Sequence, residues 1–273
     1  MDKARRLNHI FGHDGKTIIV ALDGFGFSDH TDGVDYSVKN VKNLVKYGLN
    51  CALVTYGQAQ MFEKELVDVP IVLRVDGNAS IFDSSVPTTH RFFDVTDALK
   101  LGADGVVCMP MPGSKYPGAE IASYQMISDL AKQGQIWNMP VLAETLPISY
   151  AVQKDDPHTN DPHYIATAAR LGAEYGADII KTRFTGDIES DKKIVQNAKR
   201  PCVALGGPKT DNKTYFEYVH NLMEAGVKGI ACGRNITQDP NPVGKVAALS
   251  AIIHEGKSVE EALKVYNTVQ SEK

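Results

Sequence analysis

A chain of 273 residues, 43% hydrophobic and 23% charged, has globular composition and room for one closed α/β barrel or two small domains. Its net charge of −4 and lack of any Lys/Arg run argue against a nucleic-acid partner, while a small anion needs only a local cationic site. No stretch approaches 18 apolar residues, so no membrane span is expected.

Cys51, Cys108, Cys202 and Cys232 each lie in or beside an apolar run, without CxxC spacing. They read as buried thiols rather than a disulfide framework or zinc site, which suits a reducing compartment. The first sixteen residues carry charges but no apolar signal core. A soluble cytoplasmic protein is expected.

In chain order, residues 17–22 form a β-branched strand stopped by Asp23-Gly24. Val38, Val41, Leu44 and Val45 predict a helix over 36–47, capped by Gly48. Strands follow at 51–56 and 69–75, then a long polar connection over 76–91. A helix ending near Gly102 leads into a fourth strand, 106–109. After a proline-broken loop come a helix over 119–133 and a fifth strand over 139–146, stopped by Pro147. A helix over 161–175 has Pro162 early, where helix starts favour it. The sixth strand, Ala177-Asp178-Ile179-Ile180-Lys181, is an apolar run ending in a lysine. A helix over 187–198, a strand over 202–205 ending in Gly206-Gly207-Pro208-Lys209 and a helix over 214–224 come next. The eighth strand, 229–232, ends in Gly233-Arg234-Asn235, and helices over 243–254 and 259–269 close the chain.

Eight strands, nearly all separated by helices, imply parallel pairing through right-handed crossovers. The phrase helix, Gly-Ala-Asp, strand recurs at Gly102 and Gly176. The expected fold is a single-domain (β/α)8 TIM barrel over residues 1–273. A doubly wound sheet is the alternative, although no GxGxxG follows the first strand.

In such a barrel the active site lies at the C-terminal strand ends. Those ends carry Asp23, Glu144, Lys181 with Arg183, Gly206-Gly207 and Gly233-Arg234. Lys181 reads two ways: as a solvated strand end, or as a desolvated amine freed for Schiff-base chemistry. The two glycine turns, with Lys209 and Arg234, suggest a phosphate site of backbone N–H groups and cations. Asp23 is either a turn carboxylate or a partner that assists proton transfer or holds Lys181. Glu144, in an apolar run, is either a general acid/base or a structural ion pair with Lys181 or Arg183. Arg183 shares the Lys181 face if the strand persists, where it lowers the lysine pKa, binds a second anion or points outward.

Three motifs carry a family resemblance: GADIIKTRFTGD (176–187), ALGGPKT (204–210) and GIACGRNITQ (229–238). With these the chain resembles the class I aldolases of the archaeal fructose-bisphosphate type. That superfamily also holds an aromatic-biosynthesis transaldolase and the autoinducer-2 thiolase. The resemblance implies an imine on Lys181 and a strand-one acid at Asp23. It implies substrate phosphate at Gly206, Gly207, Lys209, Gly233 and Arg234, with no metal and no cofactor. A small phosphorylated sugar is the implied substrate, and a homo-oligomer the implied assembly. The family's tyrosine and arginine after strand five are replaced here by Leu146-Pro147-Ile148-Ser149. Proton transfer then passes to Glu144, with Tyr150 as the second candidate; either Arg183, Arg74 or Lys115 makes the distal contact, or the far end of the substrate is not a phosphate.

Overall fold

Eight short apolar strands, each too small to bury both faces alone, close on one another in a computed structural model of the chain. It describes residues 3–26, 31–78, 89–114, 118–147, 156–207 and 209–269. The barrel strands are β1 (Thr17–Ala21), β2 (Cys51–Val54), β3 (Ile71–Arg74), β4 (Gly105–Cys108), β5 (Val141–Thr145), β6 (Ile179–Thr182), β7 (Cys202–Leu205) and β8 (Gly229–Cys232). They pair in chain order, all parallel, and β8 closes on β1. The fold is therefore the (β/α)8 TIM barrel expected from the strand count. Among the described residues no helix is long and apolar enough to cross a membrane.

The closing seam depends on one residue. Gly229 sits opposite Thr17 with φ +133°, and a Cβ there would lie 1.8 Å from the Thr17 carbonyl oxygen. Only glycine fits that approach.

Side chains alternate across each strand. One set points inward: Ile19, Leu53, Val72, Val107, Leu142, Ile179, Val203 and Ala231 form an apolar floor, one residue per strand. The other set, including Val20, Val106, Ala143 and Ile180, packs under the surrounding helices. Burying each of the larger side chains contributes roughly 1.5–3 kcal/mol before entropy is counted. A helix that the sequence reading did not assign, Ala4–Ile10, plugs the N-terminal end with Leu7, Ile10 and Phe11. Lys3 holds it to Asp178 at 2.6 Å.

Other departures from the sequence reading are local. The helix expected over 36–47 is two helices, Val34–Lys39 and Val41–Lys46. Asn40 stands between them, its side chain donating to the Tyr36 carbonyl and competing with helix continuation. Two helices not expected, Tyr56–Met61 and Glu63–Leu66, join β2 to β3, the first opened by a Thr55–Gln58 capping box. The polar connection after β3 holds a short antiparallel pair, Asp76–Asn78 with Thr89–Arg91. The helix expected over 119–133 runs on as Ala119–Trp137, and a one-turn helix, Arg234–Thr237, follows β8.

Candidate active site

The alternation that builds the floor also builds the site. Two residues beyond the floor, on the same inward face, stand Arg74 from β3, Met109 after β4, Glu144 from β5 and Lys181 from β6. Lys181 is 3% exposed and Glu144 7% exposed, so neither is a solvated strand end. They occupy directly paired register positions, and Lys181 Nζ lies 2.9 Å from Glu144 Oε1.

Arg74 organises the other carboxylates. Its Nε donates to Asp23 Oδ2 at 2.9 Å, and Nη2 approaches the same oxygen at 2.8 Å. Nη1 donates to Asp76 Oδ1 at 3.2 Å, and Nη2 donates to Glu144 Oε2 in a short contact. The result is a buried chain running Asp23, Arg74, Glu144, Lys181, with Asp76 as a side branch. Asp76 is itself fixed by the Met109 N–H, which donates to Oδ2 at 2.8 Å.

Electrostatics follow from this geometry. Burial raises the Glu144 pKa, but Lys181, then Arg74, outweigh it and bring the carboxyl down to about 2. Glu144 is thus a carboxylate at neutral pH, able to take a proton before it can give one. Burial likewise opposes the Arg74 charge, and the carboxylates of Asp23, Glu144 and Asp76 more than reverse it. For Asp76 burial dominates, and its pKa lies above the usual value despite Arg74.

Arg74 is not a free arm for a distal anion: its guanidinium is engaged by three carboxylates and is 3% exposed. Asp23 holds Arg74, not Lys181. The Glu144 alternative of an ion pair is realised with Lys181 and Arg74. Arg183 is half-buried. Burial and Asp191 raise the Tyr218 phenol, and the nearby Arg183 charge opposes them. Leu146 is 4% exposed and packs with Met109, Met111 and Leu205, an apolar wall above Glu144. Tyr150 and Lys115 lie outside the described residues.

The two glycine turns lie side by side at the ends of β7 and β8. A Cβ on Gly206 would sit 2.8 Å from Cys232 Cβ, so glycine is required for the turns to meet. Asn235, 3% exposed, ties them: its Nδ2 donates to the Gly206 carbonyl at 2.8 Å and its Oδ1 accepts from Thr210 N–H at 3.4 Å. Gly207 has φ +64°, Gly233 begins the turn before the one-turn helix, and Arg234 is exposed. Lys209 Nζ donates to the Gln238 carbonyl at 2.8 Å, a second tie between the turns.

Sequence reasoning missed Arg74 as a hub and Asp76 entirely. Their signal was available: both continue the inward alternation from Val72.

A parallel barrel whose C-terminal strand ends gather a buried lysine and carboxylates is the architecture of a barrel aldolase, a lyase. The chain matches the DeoC/LacD family aldolases over residues 17–239 and belongs to that family. It is 30% identical to an uncharacterized aldolase of Pasteurella multocida, over 96% of this chain and 86% of that one. It is 29% identical to the 3-hydroxy-5-phosphonooxypentane-2,4-dione thiolase of Escherichia coli, over 96% and 85%. Among solved structures, an archaeal fructose-1,6-bisphosphate aldolase with its catalytic lysine bound to a carbinolamine superposes with TM-score 0.82 at 25% identity, over 93% of this chain and all of that one.

Proposed function

We propose that this enzyme is a class I aldolase that makes and breaks a C–C bond of a phosphorykated ketose through an imine on Lys181, the phosphate resting in the glycine turns. The observation that carries this is the Lys181 amine held 2.9 Å from the Glu144 carboxylate inside the barrel mouth. The archaeal aldolase trapped as a lysine carbinolamine supports it.

Glu144 accepts the proton that Lys181 must lose, and the free amine adds to the ketone carbon. Loss of water from the carbinolamine gives a protonated imine. A base removes the C4 hydroxyl proton, the C3–C4 bond breaks, and its electron pair moves through the enamine to the iminium nitrogen. The aldehyde leaves; protonation of C3 and hydrolysis then return dihydroxyacetone phosphate and the amine. Glu144, ionised at neutral pH and 2.9 Å from the reacting nitrogen, is the nearest proton acceptor at each amine step. Asp23 and Arg74 hold Glu144 in place. Gly206, Gly207, Lys209, Gly233 and Arg234 provide the phosphate contacts, through backbone N–H groups and two cations. Arg183 is the candidate for the substrate's far end.

A second reading, a lysine-dependent thiolase, is favoured by the E. coli relative. Incubation with fructose 1,6-bisphosphate, and with a phosphorylated diketone with and without coenzyme A, separates them. The aldolase reading expects a free aldehyde that does not depend on coenzyme A and is lost in Lys181→Met. Acyl-coenzyme A as the sole product contradicts it.

A further inference from the structure

One cation lies deep in the protein outside the chain of charges around Lys181. Lys245 sits in the helix Pro242–Ile253 and is 1% exposed. Its ammonium stands over the rings of Tyr215 and Phe216, 4.8 and 4.9 Å from their centroids. It donates to Asn212 Oδ1 at 2.5 Å and lies 3.7 Å from Asp239 Oδ2. Asp239 also accepts from the Tyr266 hydroxyl and the Asn241 N–H, both at 2.8 Å.

The two oxygen partners have a common context. Asn212 opens the helix Asn212–Glu224, directly after the turn that leaves β7. Asp239 follows the one-turn helix that leaves β8. Lys245 therefore grips the far end of each glycine turn, while Asn235 and Lys209 tie the turns from the front. An apolar side chain of similar volume would fill this place without the cost of burying a charge. What the ammonium adds is direction: it fixes two polar anchors relative to one helix.

We propose that Lys245 is a positioning residue that holds the β7 and β8 turns in the spacing needed to receive one phosphate group. It touches no substrate atom and acts through Asn212 and Asp239. The proposal rests on the anion site assigned above to those turns.

The test uses the full-length protein, wild-type beside Lys245→Met and Asn212→Ala, the second removing one anchor from a half-buried position should the first not fold. Inorganic phosphate binding is measured by calorimetry. Borohydride trapping is followed with dihydroxyacetone phosphate and with unphosphorylated dihydroxyacetone. Both variants should weaken phosphate binding, and raise KM for the phosphorylated ketone, about tenfold. Trapping of dihydroxyacetone should keep its wild-type rate. Wild-type phosphate affinity in both variants overturns the proposal, as does equal loss with both ketones, which marks a purely structural role. A wild-type protein that neither binds phosphate nor distinguishes the ketones overturns the anion site itself, and the proposal with it.

Discussion

Glu144 accepts from two cations at once, Lys181 on one oxygen and Arg74 on the other. That arrangement decides what it can do. A carboxyl held at about 2 is ionised at neutral pH, so it holds no proton to give a substrate; its proximity, not its basicity, makes it the acceptor beside the amine. Glu144→Gln keeps the shape but removes the acceptor charge. Imine formation, followed by the rate of borohydride trapping at neutral pH, should slow on the order of 10²–10³-fold. A trapping rate within a few-fold of wild type would assign the proton to another group. Lys181 and Glu144 were legible in the sequence because each is a charged residue closing an apolar run. Their direct contact was not, because only the barrel register sets β5 Glu144 beside β6 Lys181.

At the level of elements, strand alternation does most of the positioning. Val72, Leu142 and Ile179 lie in the floor, so Arg74, Glu144 and Lys181 must face inward one layer above it. The helix Pro162–Glu174 braces β5 and β6 from outside, with Ala169 and Gly172 among its buried residues. The seam between β1 and β8 is the element-level weak point. Gly229→Ala should destabilise the fold by about 3–5 kcal/mol, read as a fall in the urea midpoint, because the new Cβ meets the Thr17 carbonyl at a positive φ. A loss below 1 kcal/mol would show that the seam can open to accept it. The strands were readable from their apolar runs and glycine stops. The helix Ala4–Ile10 was not, since ARRLNHI carries too few apolar positions to announce a buried face. Its helical form depends on the barrel floor that Leu7, Ile10 and Phe11 close.

Across the whole molecule, the buried charges couple folding to pH. Glu144 has a lowered folded pKa, so its contribution is complete above its unfolded value of about 4.5 and lost as pH falls toward about 2. Asp76, raised by burial, works in the opposite sense. Urea unfolding across that window should show a shallower acid-side loss of stability in Glu144→Gln than in wild type; parallel curves would mean that Glu144 is not ionised in the fold. The barrel as a whole was legible because eight apolar strand runs alternate with helical patterns along the chain. The convergence of Asp23, Asp76 and Glu144 on Arg74 was not, because sequence spacing carries no information on which strands face each other across a closed sheet. Lys245 left a faint mark, a single cation inside the apolar run PVGKVAALSAII.

The proposed imine on Lys181 is read by reduction with borohydride in the presence of dihydroxyacetone phosphate, followed by peptide mass mapping. One adduct is expected, on the peptide containing Lys181, absent without ketone and absent in Lys181→Met. An adduct on another lysine, or none under conditions that support turnover, would contradict it.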